Sequence, residues 1–124
     1  MKYLCMAYEE EEKLNVLSKE EWDALRKETL AYVEQLQKKG ALITAEPLKS
    51  VRTATTVRVR NGKVLMTDGP FAETKEILGG FFLIDVKDLS EALEIAAAWP
   101  SARFGSIEVR PIEMGLPADR RYQA

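Results

Sequence analysis

The sequence predicts an α+β sandwich, a single antiparallel sheet with two helices on one face and a hairpin inserted between its halves. Three observations carry that prediction. Residues 3–8 and 81–86 are short runs with apolar side chains at both alternating sets of positions, the pattern of strands buried on both faces. Ser18-Lys19-Glu20-Glu21 is a capping box, in which serine and glutamate each satisfy the other's free backbone amide at a helix start. Asn61-Gly62 lies between two β-prone runs, and both turn positions of such a hairpin need positive φ, which Asn and Gly tolerate best.

The elements follow in order. Residues 3–8 form the first strand, with Cys5 inside it as a small buried hydrophobe. Residues 9–12 are four glutamates, which read as a solvated run. The helix from Ser18 reaches about Lys39, with an apolar stripe of Trp22, Leu25, Thr29, Tyr32, Val33 and Leu36 at spacings of three and four. Gly40 ends it, where a left-handed residue is wanted. Residues 41–46 are a strand stopped by Pro47, and residues 55–60 and 63–67 flank the hairpin turn. Residues 79–86 form the next strand. Asp88 caps a second helix with Glu91 as its reciprocating partner, and the predicted core stripe is Leu89, Ala92, Leu93, Ala96 and Trp99 before Pro100. Residues 104–112 form the last strand, with Ile107 and Val109 on one face. Strand, helix, strand, hairpin, strand, helix, strand is the ferredoxin-like order, βαββαβ with an insertion. Right-handed crossovers put both helices on one face. The other face is apolar in a chain too short to cover it, so a homodimer is expected, sheet to sheet. Residues 1–114 are read as one domain and 115–124 as a polar tail.

Composition narrows the function. The chain has 124 residues, 46% apolar, with 18 basic against 20 acidic side chains. A disordered chain would be poorer in apolar residues. A nucleic-acid binder usually carries a basic surplus, so no nucleic-acid partner is expected. One cysteine permits no intrachain disulfide, and no window approaches the roughly 20 apolar residues of a membrane span, so the expectation is a cytoplasmic protein with no membrane partner. There is no histidine, which removes Ser-His-Asp and Cys-His nucleophile systems and His-ligated zinc. No glycine-rich phosphate loop opens a helix. Neither a metal nor a cofactor is expected.

One segment is distinctive. Asp68-Gly69-Pro70-Phe71-Ala72-Glu73-Thr74-Lys75-Glu76 follows the hairpin and leads to Gly79-Gly80-Phe81. Asp68-Gly69-Pro70 is turn chemistry, with the aspartate able to bond the backbone two residues on. Phe71 is expected to point inward and anchor the loop. From Lys49 to Lys63 there are five basic residues and no acidic one, with Arg58 and Arg60 on one strand face. Residues 53–84, with the hairpin 55–64 leading into 67–76 and Gly79-Gly80-Phe81, closely resemble the DGPF-motif branch of the YCII-related family, as do the first strand and Gly105-Ser106-Ile107-Glu108-Val109-Arg110-Pro111-Ile112. The resemblance implies a ferredoxin-like fold that dimerises as a dimeric α/β barrel, in a small bacterial protein. Members of this branch are mostly uncharacterised, and some are encoded beside, or fused to, sigma factors of the extracytoplasmic-function class. The wider family includes a dehydrochlorinase acting on a chlorinated aromatic, with a His-Asp pair proposed as its site. Without histidine, only an aspartate role carries over to this chain.

The reading is a small protein that binds an anionic or oxygenated organic molecule, with metal-free acid/base elimination or isomerisation as its chemistry. Proton transfer falls to Asp68, Glu73 or Glu76, and Arg58, Lys75 and Tyr8 are the ligand-binding candidates. The alternative is a non-catalytic dimeric ligand-binding or regulatory module tied to sigma-factor signalling.

Overall fold

A computed structural model describes residues 1–115 and 122. β1 (Lys2–Glu9) is followed by a short helix α1 (Glu11–Asn15) and the long helix α2 (Lys19–Lys38), then β2 (Leu42–Pro47). The ribbon β3 (Thr55–Arg60) and β4 (Lys63–Asp68) comes next, then β5 (Ile77–Asp85), α3 (Leu89–Ala98) and β6 (Ser106–Pro111). Two 3₁₀ turns precede β3 and β6.

The main sheet has the order β2-β5-β1-β6 with every neighbouring pair antiparallel, which is the ferredoxin-like arrangement. β1 is central, as its apolar run from Tyr3 to Tyr8 predicts, and it pairs with β5 from Lys2↔Asp85 and with β6 from Tyr3↔Pro111. β3 and β4 form a separate two-stranded sheet. Its turn residues have φ of 52° at Asn61 and 75° at Gly62, the primed geometry that Asn-Gly favours.

Alternation places Tyr3 and Cys5 of β1 with Phe82 and Ile84 of β5 on the face that both helices cover. Leu36 of α2 and Ala92 and Ile95 of α3 complete this core. Trp99 closes it, stacked on Phe82 with ring centroids 3.9 Å apart and meeting Tyr32 edge-on at 5.9 Å. The Tyr32 hydroxyl donates to the Ile95 carbonyl at 2.9 Å, which satisfies the polar end of a half-buried ring. Burial pushes the Cys5 thiol up to about 12, so it is chemically quiet.

The caps form as the sequence predicts at Ser18, where both reciprocal bonds are made. At Asp88 the cap bond to the Glu91 amide forms, but Glu91 reaches back to the Lys87 amide, one residue earlier than the box requires. Two other expectations are corrected. The inward face of α3 is Ala92, Ile95, Ala96 and then Trp99, while Leu89 and Leu93 lie near half exposed. The stripe is thus rotated by part of a turn, because Ile95 and not Leu93 meets the sheet. Phe71 is 79% exposed, and its ring sits under the Arg58 guanidinium at 5.5 Å, so it anchors the loop to the ribbon and not to the core. Most of the predicted C-terminal tail, residues 116–121 and 123–124, lies outside the described residues.

Candidate functional site

The four glutamates 9–12 do not form a uniformly solvated run: Glu9 ends β1, and Glu9, Glu10 and Glu11 are partly buried while Glu12 is exposed. Odd-numbered residues of β1 face the helices, so the period that buries Tyr3, Cys5 and Ala7 carries Glu9 to the same side. Glu10 keeps only 17% of its side chain exposed and takes Lys13 at 3.6 Å and Lys75 at 3.8 Å. The Glu11 carboxylate accepts from the Ser50 hydroxyl at 3.0 Å and the Val51 amide at 2.9 Å. Glu11 thereby ties the start of α1 to the turn that opens the ribbon.

Glu9 is the unusual group. Desolvation, and then the charge of Glu11, push its carboxyl above the ordinary range. Its space is made by glycine. A β-bulge leaves Gly79 opposite the Ala7–Tyr8 step, and a Cβ on Gly79 would fall on the Glu9 carboxylate. A raised carboxyl favours its neutral form in the folded state, so this stabilisation is complete below the unfolded value near 4.5 and is lost as pH rises through the folded value. Glu9→Gln is therefore expected to melt higher than the wild type at pH 7, with the gap closing by pH 4. Melting curves at the two pH values check this, and an equal gap at both would contradict the assignment.

Glu9 stands in the wall of a cavity of about 480 Å³ between the N-terminal half of α2 and the ends of β1, β2 and β5. Trp22, Leu25, Leu30 and Val33 of α2 form the roof, and Ala45, Gly80, Phe81 and Phe82 form the floor. Trp99 closes the inner side, and Arg26 adds a guanidinium. The lining is mostly apolar, with a few polar groups, which is the composition of small-molecule sites. The apolar stripe of α2 thus divides its work. Leu36, Tyr32 and Val33 pack on the core, while Trp22 and Leu25, a turn or more earlier, line the cavity.

None of the six candidate residues from the sequence lines this cavity. Tyr8 follows the other face of β1, half-buried, paired with Leu78 and Ser106. Asp68 ends β4 opposite Thr55 and is exposed, as are Glu73 and Glu76. The turn after Asp68 is held through Gly69, which at φ 103° donates its amide to the Ala54 carbonyl at 2.8 Å and accepts at its carbonyl from the Thr56 hydroxyl at 2.9 Å. Arg58 and Lys75 are engaged by Phe71 and Glu10 respectively. Of the six, Tyr8 directly precedes Glu9 in the chain, and Lys75 reaches the neighbour of Glu9 on its other side. Lys75 also borders a smaller cleft of about 220 Å³ with Glu10, Glu11, Glu12 and Thr74. Sequence reasoning missed Glu9 because a charge run was read as one unit. Continuing the period of two from Tyr3 would have found it.

Comparison with known proteins agrees with this architecture. An uncharacterised protein, R00369, of Rhizobium meliloti (strain 1021) is 36% identical over 121 residues, covering 96% of this chain and 98% of the relative. Among solved structures, 5-chloro-2-hydroxyhydroquinone dehydrochlorinase (TftG) from Burkholderia phenoliruptrix AC1100, in complex with 2,5-dihydroxybenzoquinone, shares the fold. The TM-score is 0.56 over 93% of this chain and 96% of that one, at 17% identity. The YCII-related domain matches residues 1–114, and the chain belongs to that family.

Proposed function

We propose that this protein binds a small oxygenated ring compound in the cavity beneath α2, with Glu9 as the group that exchanges a proton with it. The observation that carries the reading is a mostly apolar cavity with a desolvated carboxylate in its wall. Aromatic walls at Trp22, Phe82 and Trp99 suit a flat ring, and the Arg26 guanidinium suits an anionic or hydroxyl substituent. A carboxyl raised by desolvation holds its proton more firmly than an ordinary one, and its carboxylate is a stronger base, which suits proton exchange with a bound compound. The candidate reaction is a metal-free elimination or isomerisation. Glu9 takes a proton from the ring compound, and either a leaving group departs with its electron pair or the proton returns at another ring atom. The shared fold of a dehydrochlorinase bound to a dihydroxybenzoquinone supports the ligand class.

The acting form is a homodimer through the sheet face opposite the helices. Its support is the half-buried apolar row of Leu4, Phe81 and Leu83 on a face away from the helical core. Lys75, paired with Glu10 beside Glu9, serves as an anion-attracting group; Arg58 on the ribbon, and Asp68, Glu73 and Glu76 on the loop, are candidates outside this cavity.

The test is a titration with 2,5-dihydroxybenzoquinone, read by thermal shift and calorimetry. A ligand at 100 times its Kd stabilises the native state by about 2.7 kcal/mol, so a shift of several degrees is expected. Ala45→Trp, which fills the floor of the cavity, should abolish the shift while the fold is retained. Asp68→Asn in the same titration separates a chemical carboxylate from a turn residue. Absence of any shift with hydroxylated quinones, or an undiminished shift in Ala45→Trp, would remove the cavity from the reading. Binding without turnover would select the non-catalytic ligand-binding module.

A further inference from the structure

Among the described residues, three charged side chains line the cavity beneath α2: Glu9, Arg26 and Glu46. They differ in their contact with water. Arg26 keeps 65% of its side chain exposed and meets Asp23 at 3.6 Å, and Glu46 is exposed on the edge strand β2. Glu9 alone is half-buried, with Gly79 of β5 against its carboxylate and Gly105, before β6, behind its α-carbon.

Glu9 also lacks a countercharge. Lys13 and Lys75 both go to its neighbour Glu10, at 3.6 and 3.8 Å, and among the described residues no cation pairs with Glu9. Glu11 of α1 adds like charge and is held in place by Ser50 and Val51. Arg103, the cation of the turn before β6, is committed to Glu28 at 2.6 and 2.8 Å. A ring compound entering the cavity strips the remaining water from Glu9. An ionised ring oxygen beside it then sets two negative charges together in an apolar space, where their repulsion is several times that in water. One proton between them removes that cost.

We propose that the cavity selects its ligand by charge: it takes a ring compound with one negative charge directed to the Arg26 rim, and holds one proton between Glu9 and an oxygen substituent of the ring. This deepens the reading of a small-ring site with Glu9 as its proton-exchanging group, and rests on it. The ligand class is the monoanion of a ring with two acidic oxygens. A doubly ionised ring enters only with uptake of a proton from solvent, and a neutral ring forgoes the contact with Arg26.

The test is calorimetric titration of the wild type and Glu9→Gln with 2,5-dihydroxybenzoquinone, whose two hydroxyls both ionise in neutral water, from pH 5 to pH 8. The glutamine amide imitates the protonated carboxyl and does not titrate. The ionisation of the quinone is common to both proteins and cancels in the ratio of their dissociation constants. That ratio, wild type over variant, should rise with pH toward tenfold per unit. At pH 8, titration in buffers of different ionisation heat should show the wild type taking up one proton more than the variant. Arg26→Gln should weaken binding several-fold at every pH, and an unchanged dissociation constant would remove the anionic rim. A ratio independent of pH, with both proteins binding, would overturn the charge selection and leave the cavity site standing. Loss of binding in Glu9→Gln alone would overturn it too, because a neutral donor should suffice. No binding to either protein would remove the site and this inference together.

Discussion

Phe82→Ala is expected to destabilise the protein by about 3–5 kcal/mol, the range for deleting a large buried aromatic side chain. Phe82 is fully buried on the helix-facing side of β5, and its ring is stacked on Trp99 at 3.9 Å with the planes 12° apart. The substitution removes apolar contact area and the ring pairing together, and leaves a void beside the candidate site that Trp99 and Phe82 both line. Domains of this size have roughly 5–15 kcal/mol in total. The melting temperature should therefore fall on the order of 10–20 °C. Urea titration with an unchanged m-value would confirm a loss of stability within the same fold. A loss below 1 kcal/mol would mean that the core is not closed at Trp99. Phe82→Leu, which keeps much of the volume, should cost less than the alanine variant.

Gly105→Ala is expected to be nearly as damaging, for a reason of space and not of φ. Gly105 lies just before β6, and a Cβ there would overlap the backbone carbonyl of Tyr8, with the Glu9 α-carbon close behind. A backbone cannot swing aside as a side-chain end can, so β6 must separate from β1 near the Tyr8↔Ser106 pair. Overpacking of this kind costs typically about 1–3 kcal/mol, and more when backbone must move. The displaced atoms also carry Glu9, so quinone binding should weaken beyond what the stability loss explains. Gly79→Ala is the informative comparison. There the added carbon meets only the Glu9 side chain, so the melt should change little while the carboxylate is pushed out of position. Equal stability losses in the two variants would contradict this distinction.

The parts of the fold that were legible in the sequence are those decided within a few residues. The Ser18 box, the Asn61-Gly62 turn and the two-sided apolar strands each depend on near neighbours, and each forms. The helix stripe of α3 was ambiguous because Ala92 and Ala96 belong equally to a face with Leu89 and Leu93 and to one with Ile95 and Trp99. Only the direction of approach to the sheet selects the second. Phe71 is exposed and meets Arg58 of the ribbon instead of the core, a tertiary pairing with no local signature. The cavity was half legible. Trp22 and Leu25 were identified as apolar helix positions, but nothing in the spacing shows that the sheet falls away beneath them.

The position of β1 has a kinetic consequence. Both of its partners lie far along the chain, β5 at residues 77–85 and β6 at 106–111. At synthesis rates of roughly 5–20 residues per second, β1 emerges several seconds before either neighbour exists. During that interval its apolar stretch from Tyr3 to Tyr8 has no strand partner, while α2 and the β3–β4 ribbon can already form from local contacts. The last event is then the arrival of β6 beside β1, an encounter across about 100 residues of chain that sets a slow, non-local folding step. The glutamates that follow β1 at once place like charge on every nascent copy, which opposes pairing of one unfinished strand with another on the same polysome.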